Sequence, residues 1–137
     1  MDPLFTKLNY KEGQPMVVLH PPVDFYQQLK TISFENQVVT EITPGQPIEF
    51  IIVFSNKKAE IAEILNSTVP FLIGDAVFWL AYPKGTSKKY SCDFNRDTSW
   101  EICKPYQLLP VRQIAVDDDW SALRFRKKEY IKSTVRK

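Results

Sequence analysis

A three-layer α/β/α sheet, mostly parallel and closed at one end by an antiparallel hairpin, is the fold class this sequence predicts. Three observations carry it. Ile48-Glu49-Phe50-Ile51-Ile52-Val53-Phe54 and Ala76-Val77-Phe78-Trp79-Leu80-Ala81-Tyr82 are apolar runs of strand length, continuous rather than alternating. That is the pattern of strands buried on both faces, as parallel strands beneath helices are. Between them Ile61, Ala62, Ile64, Leu65, Val69 and Leu72 recur at helical spacing, with Lys57, Lys58, Glu60 and Glu63 on the other side. Near the end, Leu123 and Phe125 alternate with Arg124 and Arg126, the period of a strand with one wet face.

The bulk composition fits a soluble globular chain. At 137 residues it suits one domain with a real core. No apolar run reaches the roughly 18 to 20 residues that cross a bilayer. Met1-Asp2-Pro3-Leu4-Phe5 lacks the basic region and apolar core of a secretory signal. Cys92 and Cys103 have neither metal spacing nor a disulfide framework, so a cytoplasmic protein with reduced thiols is expected. The net charge of +2 hides an asymmetry: from Ser121 onward there are seven Lys or Arg and one Glu. Such a tail can grip phosphates, but it reads more often as a solvated edge strand followed by a frayed end.

Taken in order, Leu4, Phe5, Leu8 and Tyr10 mark a short packing helix ahead of a turn at Gly13-Gln14-Pro15. Met16-Val17-Val18-Leu19-His20 is a first strand stopped by Pro21-Pro22, and Phe25, Tyr26, Leu29 and Ile32 share the face of a helix. Val38–Ile42 is a strand closed by Pro44-Gly45. The central strand–helix–strand unit follows, with Ser55 or Asn56 as N-cap. After the basic loop Pro83–Tyr90, Asp93 is the expected N-cap of a helix carrying Phe94, Trp100 and Ile102, limited by Pro105. Strands over about 111–117 and 121–128, joined at Asp117-Asp118-Asp119-Trp120, make the hairpin. The buried centre is expected at Phe50, Ile52, Phe54, Val77, Trp79 and Ala81, with Ile61, Ile64, Leu65 and Leu72.

This alternation resembles the Rossmann-like sheet of class I S-adenosylmethionine-dependent methyltransferases in reduced form. Trp79-Leu80-Ala81-Tyr82-Pro83-Lys84, Asp93 with Arg96-Asp97, and Val116-Asp117-x-x-Trp120-Ser121-Ala122-Leu123-Arg124-Phe125 resemble a narrower group. These are small bacterial proteins known only as a domain of unknown function, opening with a pattern matched here by Lys7-Leu8, Gly13-Gln14 and Met16–Leu19. The resemblance, over about residues 4–128, implies the fold and brings no activity with it. One departure matters. The methyltransferase first strand runs into a glycine-rich turn so that backbone can approach the cofactor. Here that turn is His20-Pro21-Pro22-Val23-Asp24, without glycine and with two backbone donors deleted.

Ligands of open α/β sheets bind beyond the carboxyl ends of the strands, which draws attention to His20, the only histidine. Without an acid or nucleophile partner it reads more simply as a half-buried capping residue. A cysteine–histidine pair has no support in spacing, and Asp117-Asp118-Asp119 reads as a solvated turn rather than a cation site. Trp120 reads as packing at the hairpin's base. The strongest hint is electrostatic. Lys57 and Lys58 begin a helix, where positive charge opposes the dipole, and Lys84, Lys88 and Lys89 lie in the loop after the next strand with Gly85, Thr86 and Ser87. If those strands are neighbours, Lys57, Lys58, Lys84, Ser87 and Lys88 flank one crevice, with Asp93 and Arg96 closing its side and His20 at the same edge. That crevice suits a phosphate or carboxylate.

The first functional reading is a non-catalytic binding or regulatory module that kept the sheet and lost the cofactor turn. The alternative is an enzyme acting on a small phosphate- or carboxylate-bearing substrate, with His20 or Asp93 as acid–base and the lysines as clamps. Methyl transfer from S-adenosylmethionine comes third, disfavoured by the missing glycine turn. No catalytic residue, cofactor or metal is assigned. The expected partner is a small anionic ligand or a protein; the pI of about 8.5 is a weak footprint for nucleic acid. The sequence does not fix the oligomeric state.

Overall fold

The computed structural model describes residues 3–11, 15–30, 38–42 and 45–131. Its elements run α1 (Pro3–Lys7), β1 (Met16–Leu19), α2 (Val23–Leu29), β2 (Val38–Val39), β3 (Ile48–Phe54), α3 (Lys58–Thr68), β4 (Leu72–Pro83), α4 (Arg96–Cys103), β5 (Leu108–Ala115) and β6 (Trp120–Lys127). Six strands form one sheet in the order β2-β1-β3-β4-β6-β5. The pairs β1–β2, β1–β3 and β3–β4 are parallel, while β6 runs antiparallel to both β4 and β5. The sheet is therefore mixed α/β with the antiparallel hairpin at one end, as the alternation of Leu123 and Phe125 with arginines predicts.

The two continuous apolar runs are adjacent central strands, with Ile51 opposite Phe78 and Ile52 opposite Trp79. Because strand side chains alternate between faces, each run feeds two cores. Phe50, Ile52, Phe54, Val77, Trp79 and Ala81 pack with Leu4, Phe5, Leu8, Phe25 and Leu29 on the α1/α2 side. Ile51, Val53, Phe78 and Leu80 pack with Ile61, Ile64, Leu65 and Leu72 on the α3/α4 side. The expected single centre is corrected accordingly: its strand members and its α3 members are all buried, but on opposite faces of the sheet. A chain of ring contacts runs through the first core, from Phe5 to Phe25 (5.8 Å), Phe25 to Phe54 (4.8 Å) and Phe54 to Trp120 (5.2 Å). The buried indole N–H of Trp79 donates to the Leu8 carbonyl at 2.8 Å and fixes α1 to the sheet.

Local expectations fare unevenly. Pro3 opens α1, where its missing N–H costs nothing; Leu8 and Tyr10 are buried just beyond the helix end. On α2, Phe25 and Leu29 face the core but Tyr26 is 51% exposed, since the next residue along a helix is turned by about 100°. The second strand is shorter than Val38–Ile42, and β4 is longer than its apolar run, entering through a left-handed Gly74. Of the hairpin strands, β5 begins three positions earlier than expected and β6 only one. Asp93 is not the cap of α4: Asn95 is, its side chain accepting from Thr98 N–H at 2.9 Å. Trp100 points outward at 43% exposure, and the buried side of α4 is Ser99 and Cys103. The Gly13-Gln14 turn, Ile32, Pro44 and the basic tail from Lys132 lie outside the described residues.

Candidate functional site

Strand order reverses direction between β1 and β3: the chain leaves β1 for β2 on one side and leaves β3 for β4 on the other. The carboxyl ends of β1, β3 and β4 thus form the edge where open α/β sheets hold their ligands. At the end of β1, His20 adopts a left-handed backbone with φ 57°. That is a conformation glycine takes without cost and histidine takes with strain. His20 thus takes a glycine-like conformation while a side chain stands at each position of the turn. His20 is exposed rather than half-buried as expected. Pro21 and Pro22 follow, and the Pro22 carbonyl accepts from Tyr26 N–H at 3.0 Å as α2 begins. Two of the donors nearest the strand end are absent because the residues are proline.

At the end of β3, Ser55 is buried and organises the entry to α3. Its hydroxyl donates to Glu60 Oε1 at 2.8 Å and accepts from Lys57 N–H at 3.2 Å. The decisive contact comes from far along the chain: Asp93 Oδ1 accepts from Lys58 N–H at 2.6 Å, and Asp93 N–H donates to the Asn56 carbonyl at 3.2 Å. A carboxylate at a helix N-terminus satisfies an orphan donor and complements the dipole. The positive end of α3 is therefore faced by two acids of the chain itself, Asp93 and Glu60. Lys57 and Lys58 project outward and are exposed.

The neighbouring loop after β4 is closed by a second acid. Lys84 N–H donates to the Asp119 carbonyl at 2.8 Å, and the Ser87 hydroxyl donates to Asp119 Oδ1 at 2.9 Å. The Ser87 oxygen in turn accepts from Lys89 and Tyr90 N–H, and Lys89 Nζ lies 3.9 Å from Asp119 Oδ2. Asp117 Oδ1 accepts from Asp119 and Trp120 N–H at 2.8 and 2.9 Å, shaping the hairpin turn. Tyr90 packs with a tilted ring, centroids 5.0 Å apart, against Trp120, which is buried at the hairpin base. So Asp117 and Asp119 are structural, contrary to their reading as simply solvated, and Asp118 alone is exposed among the three. Among the described residues no His, Cys, Asp or Glu group could hold a metal ion.

The structure thus brings Lys57, Lys58 and Asp93 together around the start of α3, with Lys84, Ser87 and Lys88 on the loop of the adjacent parallel strand. Arg96 belongs elsewhere: its Nη1 reaches Gln113 Oε1 at 3.5 Å. It lines an outward cleft of about 530 Å³ between α4 and β5, with Trp100, Val111 and Ile131. His20 stands apart at the end of β1. Neither thiol fits a nucleophile. Burial pushes Cys103 up to about 12, and burial also raises Cys92, whose Sγ donates to the Phe94 carbonyl. The expected N-cap of α3, Ser55 or Asn56, is corrected: Lys57 takes that position without a side-chain cap, and Ser55 bonds Glu60 and Lys57 N–H from just ahead of it. The sequence carries no local signal for the bonds of Asp119 and Glu60.

The fold is that of the S-adenosylmethionine-dependent methyltransferases. The chain is similar to a SAM-dependent methyltransferase from Aquifex aeolicus, with TM-score 0.64 and 11% identity over 92% of this chain and 88% of that one. It is similar to the N-methyltransferase NodS from Bradyrhizobium japonicum WM9, with TM-score 0.56 and 12% identity over 92% and 97% of the two chains. The glycopeptide N-methyltransferase MtfA, complexed with sinefungin, gives TM-score 0.57 and 8% identity over 90% and 83%. No family model and no curated protein matches the chain.

Proposed function

We propose that this protein is a non-catalytic binding module built on a methyltransferase-like sheet, taking a small phosphate- or carboxylate-bearing anion at the carboxyl edge of β3 and β4. The observation that carries the loss of cofactor chemistry is the His20-Pro21-Pro22 turn. It puts side chains and proline rings where a cofactor-binding turn offers bare backbone and N–H donors. The fold it shares with methyltransferases raises methyl transfer as the competing reading, and this turn disfavours it.

What supports the anion site is the parallel pairing of β3 and β4, which sets the lysines of two loops at one edge. The Lys58 and Lys84 N–H groups are already committed to Asp93 and Asp119, so the anion is held chiefly by the ammonium groups of Lys57, Lys58, Lys84 and Lys88. Such contacts between exposed charges are weak and screened by salt. Titration with inorganic phosphate at low ionic strength tests the site. Binding that weakens in Lys84→Ala and fades with added salt supports it; affinity unchanged in Lys84→Ala means the lysines are ordinary solvated charges.

A further inference from the structure

On the α1/α2 side of the sheet, the face of the β5–β6 hairpin carries charge. Arg124 stands directly opposite Arg112 in the β5–β6 register, and Arg126 lies two positions further along β6. With strand side chains alternating, all three guanidinium groups share one face. Like charges directly opposite one another destabilise a strand pair. A single carboxylate answers them: Arg126 Nε and Nη2 donate to Asp75 Oδ1 and Oδ2 at 3.1 and 2.6 Å, a bidentate pair that uses both oxygens. Arg124 has no such counterpart. Its Nε is buried and has no hydrogen-bond partner among the described residues. Burial and then the charge of Arg126 push its pKa down, with Arg112 adding to the same effect and Asp75 opposing it.

An unpaired, partly buried guanidinium is costly to the fold. Natural sheets tolerate that cost where a site needs it. Arg124 opens on a cleft of about 370 Å³ that also meets Lys11, Glu49, Gly74 and Asp75 at the start of β4. This lies at the amino edge of the parallel strands, away from Lys84 at their carboxyl edge. Lys127 Nζ, nearby, is committed to the Leu72 carbonyl at 2.8 Å.

We propose that the cleft beside Asp75 is a binding site for a phosphate-bearing small molecule, held by the part of the Arg124 guanidinium that lines the cleft. An anion suits this face because three guanidinium charges meet one carboxylate, Asp75, whose bidentate bond goes to Arg126. The guanidinium fork also matches phosphate oxygens in geometry. Glu49 sets the limit of the site on the β3 side, since its carboxylate repels the same ligand.

The test titrates inorganic phosphate into the full chain carrying ¹⁵N-labelled arginine, following the Arg124 Nε–H resonance by nuclear magnetic resonance. Saturable movement of that resonance is expected, unchanged in Lys84→Ala, which separates this site from the lysine edge. Arg124→Met should weaken phosphate binding here by about tenfold or more, the loss of one charge-assisted hydrogen bond, while raising the thermal midpoint without phosphate because the like-charge cost is relieved. A lower midpoint or failure to fold in Arg124→Met would make the residue structural and overturn the proposal. So would an Arg124 Nε–H resonance that phosphate does not move. Arg112 lines the separate cleft between α4 and β5, so Arg112→Gln should lower the phosphate response far less than Arg124→Met; an equal loss would move the site to that cleft and overturn the proposal.

Discussion

The carboxylate of Asp93 accepts a 2.6 Å hydrogen bond from the backbone N–H of Lys58, thirty-five positions earlier in the chain. This one contact closes the loop after β4 onto the start of α3 and puts a negative charge at the helix's positive end. It also competes with any external anion for that position.

Asp93→Ala should therefore do two opposite things. Losing a capping acceptor costs about 0.5–2 kcal/mol of stability, read as a lower denaturation midpoint. At the same time the freed N–H of Lys58 becomes available, so phosphate affinity at low salt should rise. A variant whose phosphate affinity falls instead would show that Asp93 positions the lysines rather than competing with the ligand.

Trp79→Phe tests how α1 is held. The indole N–H bonds the Leu8 carbonyl at 2.8 Å in the core between α1 and the sheet. Removing the donor leaves that carbonyl unsatisfied, at a cost of about 1–3 kcal/mol. Urea unfolding should show a lower midpoint with an unchanged slope. A change under half that range would mean α1 contributes little.

Cys103 gives a prediction in pH. Its thiol is fully buried and burial raises its pKa from 9.0 to about 12. The folded state holds the proton where the unfolded state releases it, so this contribution is complete below pH 9 and is lost as pH climbs from 9 toward 12. The slope over that window is about 1.4 kcal/mol per pH unit at most for one group. Tyr82, raised chiefly by burial, adds in the same direction. Cys103→Ala should flatten the alkaline fall in stability, and thiol reagents at pH 8 should label Cys92 before Cys103. An alkaline limb identical in Cys103→Ala would show that the thiol titrates alike in both states.

The architecture was legible because β3 and β4 are buried on both faces, which writes continuous apolar runs into the sequence, and because β6 is not, which writes alternation. The division of the core was not drawn correctly. A continuous run does not declare which of its members meets which helix. Pro110 hid the start of β5, since a proline is tolerated in an edge strand where it breaks no shared ladder bond. Near α4, Asp93 and Asn95 are both good caps two positions apart, and only the fold shows that Asp93 serves α3 instead. The lysines of the candidate site were visible as residues. Their committed neighbours were not, because Asp119 meets Ser87 across thirty-two positions and no local pattern records such a pairing.

A methyltransferase-like sheet without a glycine turn should no longer take the cofactor. Calorimetric titration of the full chain with S-adenosylmethionine decides it most directly. Heats indistinguishable from dilution are expected, because His20, Pro21 and Pro22 block the approach and withhold donors at the end of β1. Micromolar binding with stoichiometry near one would contradict the proposed function and return the protein to methyl transfer.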